Sequence, residues 1–219
     1  MATSSQPPNR ITQIPDYPIT RSLAARRGRR LEYITLAWNS AEGIAALVAG
    51  FLAGSIALVG FGLDSVIEIS SGVVLLWRLR AEGDAERRER AEHRAQRLVG
   101  VCFLALTGYV AYDAITGLVR HEAPQESIFG IGVAIAALIA MPLLARAKRQ
   151  VARQLNSGAM HADSRQSDFC AYLSAILLAG LLLNALLGWW WADPIAALVM
   201  VPLIAREGVE GLRGERCCD

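Results

Sequence analysis

Charge is scarce in this chain and unevenly placed. Charged residues make up 19% of its 219 positions against 53% hydrophobic ones, and they fall in blocks between apolar runs. A soluble domain of this length scatters its charges along amphipathic elements, so an ordinary globular domain is excluded. Cysteine is sparse too: Cys102 and Cys170 stand within apolar runs, and Cys217 and Cys218 stand at the tail. Without a CxxC pair or a spaced Cys/His pattern, neither a disulfide framework nor a structural zinc module is expected. No nucleophile–base constellation is present, which argues against an enzyme, and no cofactor is implied. The first 30 residues lack a sustained apolar run and so do not read as a secretory signal. They are expected to form a mobile basic tail whose Arg26, Arg27, Arg29 and Arg30 sit against anionic headgroups rather than nucleic acid.

What the chain does have is apolar stretches of membrane length. Crossing about 30 Å of hydrocarbon takes roughly 20 mostly apolar helical residues. Six segments approach this, at about 33–51, 55–79, 98–119, 128–145, 158–187 and 193–206. The expected fold is therefore all-α: a polytopic membrane protein of six transmembrane helices in one domain, 31–206, between the tail 1–30 and a short tail 207–219. Residues 80–97 are rich in Arg, Glu and Ala and should continue as solvated helix, with His93 facing solvent. Trp189, Trp190 and Trp191 read as an interfacial belt, and Asp193-Pro194 as the start of the sixth span. Six spans put both termini on one side. Twenty of the 22 basic residues fall in the tails and connections of that side, so the positive-inside rule makes both termini cytoplasmic.

The second segment organises the rest. It carries Asp64 and Glu68 near its middle, and residues four apart lie one above the other on a helix. Two ionised carboxylates in low dielectric repel each other and are costly to desolvate, whereas a divalent cation between them removes both penalties. Acidic residues inside membrane helices usually line an ion or proton path. In the first segment Asn39 and Glu42 share a face, and Glu42 is a partner of the carboxylate site, a proton carrier or a structural hydrogen bonder. The fifth segment opens with a polar stretch. There His161, Ser164 and Asp168 fall on one helical face, while Asp163, Gln166, Ser167 and Cys170 fall mainly on an adjoining one.

These features resemble the cation diffusion facilitator family. The matching stretches are ALVGFGLDSVIEIS (57–70), ADSRQSDFCAYLS (162–174) and WADPIAAL (191–198), and the likeness covers roughly residues 31–206. The resemblance implies a dimeric antiporter that moves cytosolic zinc or a related divalent metal out in exchange for protons. It implies a tetrahedral site with two ligands from the second span and two from the fifth, which by position are Asp64, Glu68, Ser164 and Asp168. The chain departs from the pattern in three places. Glu68 stands where Asp is usual, Ser164 where His is usual, and 13 residues after the last span leave no room for the usual cytoplasmic metal-binding domain. An all-oxygen site also suits manganese, with iron and cobalt as further candidates. The DxxxE second span and short tail resemble a small subgroup of the family that includes a vesicular zinc-transporting branch in animals.

The expected chemistry follows. Asp64, Glu68 and Asp168 bind the metal from the cytosol and release protons, and protons displace it on the far side. His161 serves as a residue of the approach route or a replacement ligand. Asp163 with Gln166 is the alternative fifth-span pair, and Cys217-Cys218 is not expected to deliver metal. The expected setting is the lipid bilayer of a bacterial inner (plasma) membrane, with a homodimer formed through the membrane helices. Two other classes compete: a non-transporting scaffold or regulatory partner, and a proton-coupled exporter of organic cations. The latter needs an aromatic box, for which Phe61 and Phe169 are the candidates.

Overall fold

The computed structural model describes residues 18–80, 85–121, 124–155 and 157–213. Among these, six helices run up and down: α1 (Pro18–Ala53), α2 (Ile56–Arg80), α3 (Ala85–Arg120), α4 (Ile128–Leu155), α5 (Gly158–Leu187) and α6 (Ala192–Arg213). Five of them, α1 to α5, contain stretches long and apolar enough to cross a membrane. Their distribution of polarity is that of a multi-pass membrane protein. Large apolar side chains such as Leu52, Ile128 and Leu186 face outward, while Glu32, Asn39, Glu42, Asp64 and Glu68 are buried. In hydrocarbon a helix satisfies its own backbone, so the outer face needs only apolar side chains.

The helices extend further than apolar length alone requires. α1 begins at Pro18, so residues 18–30, expected in the mobile tail, are helical, with proline in the first turn where its missing N–H costs nothing. The charged stretch after α2 is helical from Ala85 and forms the first turns of α3, as expected from its Ala, Glu and Arg content. α6 runs to Arg213, past the expected end at Arg206. Residues 1–17 and the Cys217-Cys218 pair lie outside the described residues.

The most extensive contacts join α4 to α5, α3 to α6 and α1 to α2, and α2 also touches α3, α5 and α6. Small residues make this possible. A Cβ on Gly62 of α2 would lie 3.0 Å from the backbone nitrogen of Leu47 in α1, and one on Gly100 of α3 only 2.8 Å from the carbonyl of Gly208 in α6. The helices therefore meet backbone to backbone, as small-residue membrane packing requires.

At the end where the odd helices finish, the turns are tied together. Gly54 adopts φ +65° between α1 and α2, a left-handed conformation that favours glycine. Asp193 of α6 accepts hydrogen bonds from Ser55 Oγ at 2.5 Å, Ile56 N at 2.9 Å and Ala57 N at 3.4 Å. These amides are among the unpaired donors at the start of α2, so Asp193 caps one helix from another. Trp189 stacks on Trp191 at the same end, with ring centroids 4.8 Å apart.

Candidate metal centre

The buried stripe of α1 carries Glu32, Thr35, Asn39 and Glu42 before turning apolar at Ala46 and Ala49. Its polar half contributes to the same interior as the acidic positions of α2. Asn39 Nδ2 donates to Glu68 Oε2 at 2.9 Å, orienting that carboxylate. Asp64 is fully buried, and neither of its oxygens has a hydrogen-bond partner. Glu42, also buried and without a partner for either oxygen, is near enough to interact with both acids. Buried polar atoms normally find partners, so a carboxylate with none is a candidate ligand or proton position.

From α5 the residue that joins them is Cys170. Ligand atoms of Asp64, Glu68 and Cys170 all lie within 4.8 Å of one another, and all three residues are buried. That spacing lets a single ion draw in two carboxylates and one sulfur. A thiolate held beside carboxylates would be unfavourable without a cation, and a divalent metal supplies the missing charge.

The other expected α5 residues are placed differently. Asp168 is paired with the guanidinium of Arg149 on α4 and is not part of the carboxylate–thiol cluster. Ser164 is buried with its hydroxyl donating to the carbonyl of His161 at 2.6 Å, and the His161 side chain is exposed. Asp163, Gln166 and Ser167 instead line a small cleft with Asn39 and Glu68. α5 is thus turned so that the face bearing 163, 166, 167 and 170 looks toward α2 and α1. This is the face the sequence places beside that of His161, Ser164 and Asp168, and it brings Cys170, which is absent from the sequence-expected ligand set, next to Asp64 and Glu68.

Two functional-looking residues carried no signal in the hydropathy pattern. Lys148 of α4 and Glu32 of α1 are both fully buried. Lys148 Nζ lies 2.5 Å from Asp163 Oδ2 and 3.5 Å from Glu32 Oε1. Lys148 is also the only lysine among the chain's 22 basic residues.

Comparison with known proteins agrees with this architecture. The profile of the cation efflux transmembrane domain matches residues 33–214. An uncharacterised transporter of Synechocystis is 29% identical over 67% of this chain and 49% of its own length. A cadmium, cobalt and zinc/H(+)-K(+) antiporter of Bacillus velezensis is 28% identical over 74% of this chain and 53% of its own. Transmembrane protein 163 of Xenopus laevis is 27% identical over 71% and 53%. The chain spans about half the length of these relatives.

Proposed function

The chain belongs to the cation efflux transmembrane-domain family, and from that premise we propose that it exports a divalent metal cation, zinc foremost, in exchange for protons. The transported ion is held by Asp64 and Glu68 of α2 and Cys170 of α5. The observation that carries this reading is Asp64: a fully buried carboxylate with two unpartnered oxygens, beside a second carboxylate and a thiol.

The donor set bears on the metal. Carboxylates alone suit hard ions as well as zinc, but a thiolate adds affinity for zinc, cobalt and cadmium over manganese and magnesium. Three protein donors leave a fourth position for water or for a residue of the cleft wall such as Gln166, an open arrangement from which the ion can leave. The metal-exchanging activities in the names of relatives support the same class of substrate.

In the empty carrier the acids hold protons, because unpaired buried charge is costly. Metal takes their place and protons leave to the cytosol; on the far side protons return and the metal departs. Glu42, near both ligand carboxylates, is a further proton-holding position on this path. The alternation rests on helix rocking about a midplane site, with both termini cytoplasmic as the one-sided basic residues indicate. On this reading the protein works in a bacterial inner membrane as a homodimer joined through its membrane helices.

The test is uptake of Zn²⁺, Mn²⁺, Fe²⁺ and Co²⁺ into proteoliposomes under an imposed pH gradient. Gradient-driven uptake with zinc and cobalt ahead of manganese is expected. Absence of gradient-driven uptake of every metal by folded protein overturns the reading.

A further inference from the structure

A buried ammonium stands two helical turns before the carboxylate–thiol cluster. Lys148 of α4 is fully buried, with Nζ 2.5 Å from Asp163 of α5 and 3.5 Å from Glu32 of α1. Glu32 and Asn39 are seven residues apart on α1, and Asp163 and Cys170 are seven apart on α5. Seven residues complete two turns to within about 20° and rise about 10 Å, so each pair lies along one line of its helix. α1 and α5 point the same way in the up-and-down order, and both lines run from the ammonium toward the cluster. At the deeper level Asn39 donates to Glu68 at 2.9 Å, and the Cys170 sulfur stands among Asp64 and Glu68. One cleft joins the two levels, lined by Glu32, Lys148 and Asp163 and by Asn39 and Glu68.

Resting on the proposed transport site, we propose that Lys148 is a positioning residue for it. The ammonium ties α1 to α5, and the tie sets where Asn39 holds Glu68 and where Cys170 places its sulfur. A helix turns as one body, so a side chain held at one level fixes the direction of the side chain two turns along. Holding Asp163 at the ammonium aims Cys170 at α2, and holding Glu32 there aims Asn39 at Glu68. α4 grips α5 a second time, through Arg149 and Asp168. Asp163 and Asp168 are about 140° apart around α5, so two contacts in different directions oppose its rotation. Buried ion pairs add little net stability, and their best-attested use is to fix register. The consequence here is selectivity. Cys170 is the soft donor of the proposed site, so the tie that aims it sets how far zinc and cobalt are preferred over manganese.

The test removes one arm of the tie at a time. Asp163→Leu leaves Lys148 paired with Glu32, and Glu32→Met leaves it paired with Asp163, so neither variant strands the buried ammonium. The full chain carrying Cys217→Ser and Cys218→Ser, so that the tail offers no thiolate, is placed in lipid nanodiscs and titrated with Co²⁺, Zn²⁺ and Mn²⁺. Thiolate-to-cobalt absorption reports Cys170. Asp163→Leu should lose most of that absorption per bound cobalt. Its zinc affinity should fall by about 10-fold, the scale on which partners of metal ligands act, and its manganese affinity less. Glu32→Met should lower zinc and manganese affinity together while keeping the absorption, because the α5 arm is intact. Asp163→Glu, which restores a carboxylate, should recover the absorption in part. Unchanged absorption and an unchanged zinc-to-manganese ratio in folded Asp163→Leu overturn the proposal, even with a lowered unfolding temperature, since a purely structural tie does the same. Should Asp163→Leu not fold, Asp163→Asn keeps the shape with a weaker tie and is read by the same criteria. The transport site is read separately: if the protein with Glu32, Lys148 and Asp163 intact shows no thiolate absorption, the assignment of Cys170 as a ligand fails and the proposal falls with it.

Discussion

Asp168 of α5 is ion-paired with Arg149 of α4, while Cys170, two residues further along α5, lies beside Asp64 and Glu68. Two residues along a helix are separated by about 200° around its axis at 3.6 residues per turn. The two side chains therefore cannot serve the same site. Asp168→Asn should leave zinc affinity close to that of the unmodified protein. Cys170→Ser should lower zinc affinity more than manganese affinity, because only the soft donor is removed. Titration of both variants with both metals checks this, and a large loss of zinc binding in Asp168→Asn would return Asp168 to the ligand set.

Ser164 offers a second check on the rotation of α5. The resemblance implies that histidine here would rebuild a nitrogen–oxygen site. In the structure Ser164 is buried with its hydroxyl returned to the carbonyl of His161. Ser164→His should overpack this contact, destabilising the fold by about 1–3 kcal/mol without raising the preference for zinc over manganese. Thermal unfolding and the ratio of the two metal affinities measure the two effects.

Asn39 donates to Glu68 at 2.9 Å, and in the proposed site it bears on the metal only through that carboxylate. Asn39→Leu removes the donor while keeping side-chain bulk. Partners that orient a ligand are typically worth 10–100-fold in affinity, so zinc affinity should fall by about that factor. Asn39→Gln, which keeps an amide, should recover part of the loss. A purely structural role would lower thermal stability and leave affinity in the folded fraction unchanged.

The contact between α6 and the start of α2 gives a prediction about stability alone. Asp193→Ala leaves Ser55 Oγ and the Ile56 and Ala57 amides without their acceptor. Leaving buried donors unsatisfied costs about 1–3 kcal/mol each in unfavourable cases. A lowered unfolding temperature in detergent, with metal affinity of the folded protein unchanged, is the expected result.

Much of this architecture can be read before any coordinates. The apolar runs and blocks of arginine mark the membrane helices, because hydrocarbon tolerates few alternatives to an apolar helix. Asp64 and Glu68 stand out for the same reason: carboxylates amid Leu, Val and Ile have no bland explanation of equal strength. α5 is harder, since nearly every position from 160 to 168 is polar or small and several faces qualify as a site. Which face meets α2 is decided by packing, as where Met160 comes within 3.1 Å of a Cβ built on Gly28, and by the pairing of Asp168 with Arg149. Glu32 and Lys148 were hidden by their place near the ends of apolar runs, where charged residues normally reach water. Their burial comes from four helices, α1, α2, α4 and α5, closing around one cleft, a tertiary fact with no periodic trace.

The central claim is that Asp64 is a carboxylate whose proton is exchanged for the transported metal. Binding of Zn²⁺ to the purified protein in weakly buffered solution should release protons, with apparent affinity rising as pH rises because ligands must be deprotonated. Asp64→Asn keeps shape and much of the hydrogen-bonding capacity but cannot ionise. The account predicts that this variant, folded and inserted normally, neither binds zinc at the buried site nor releases protons when zinc is added. Zinc-driven proton release from Asp64→Asn equal to that of the unmodified protein would contradict it.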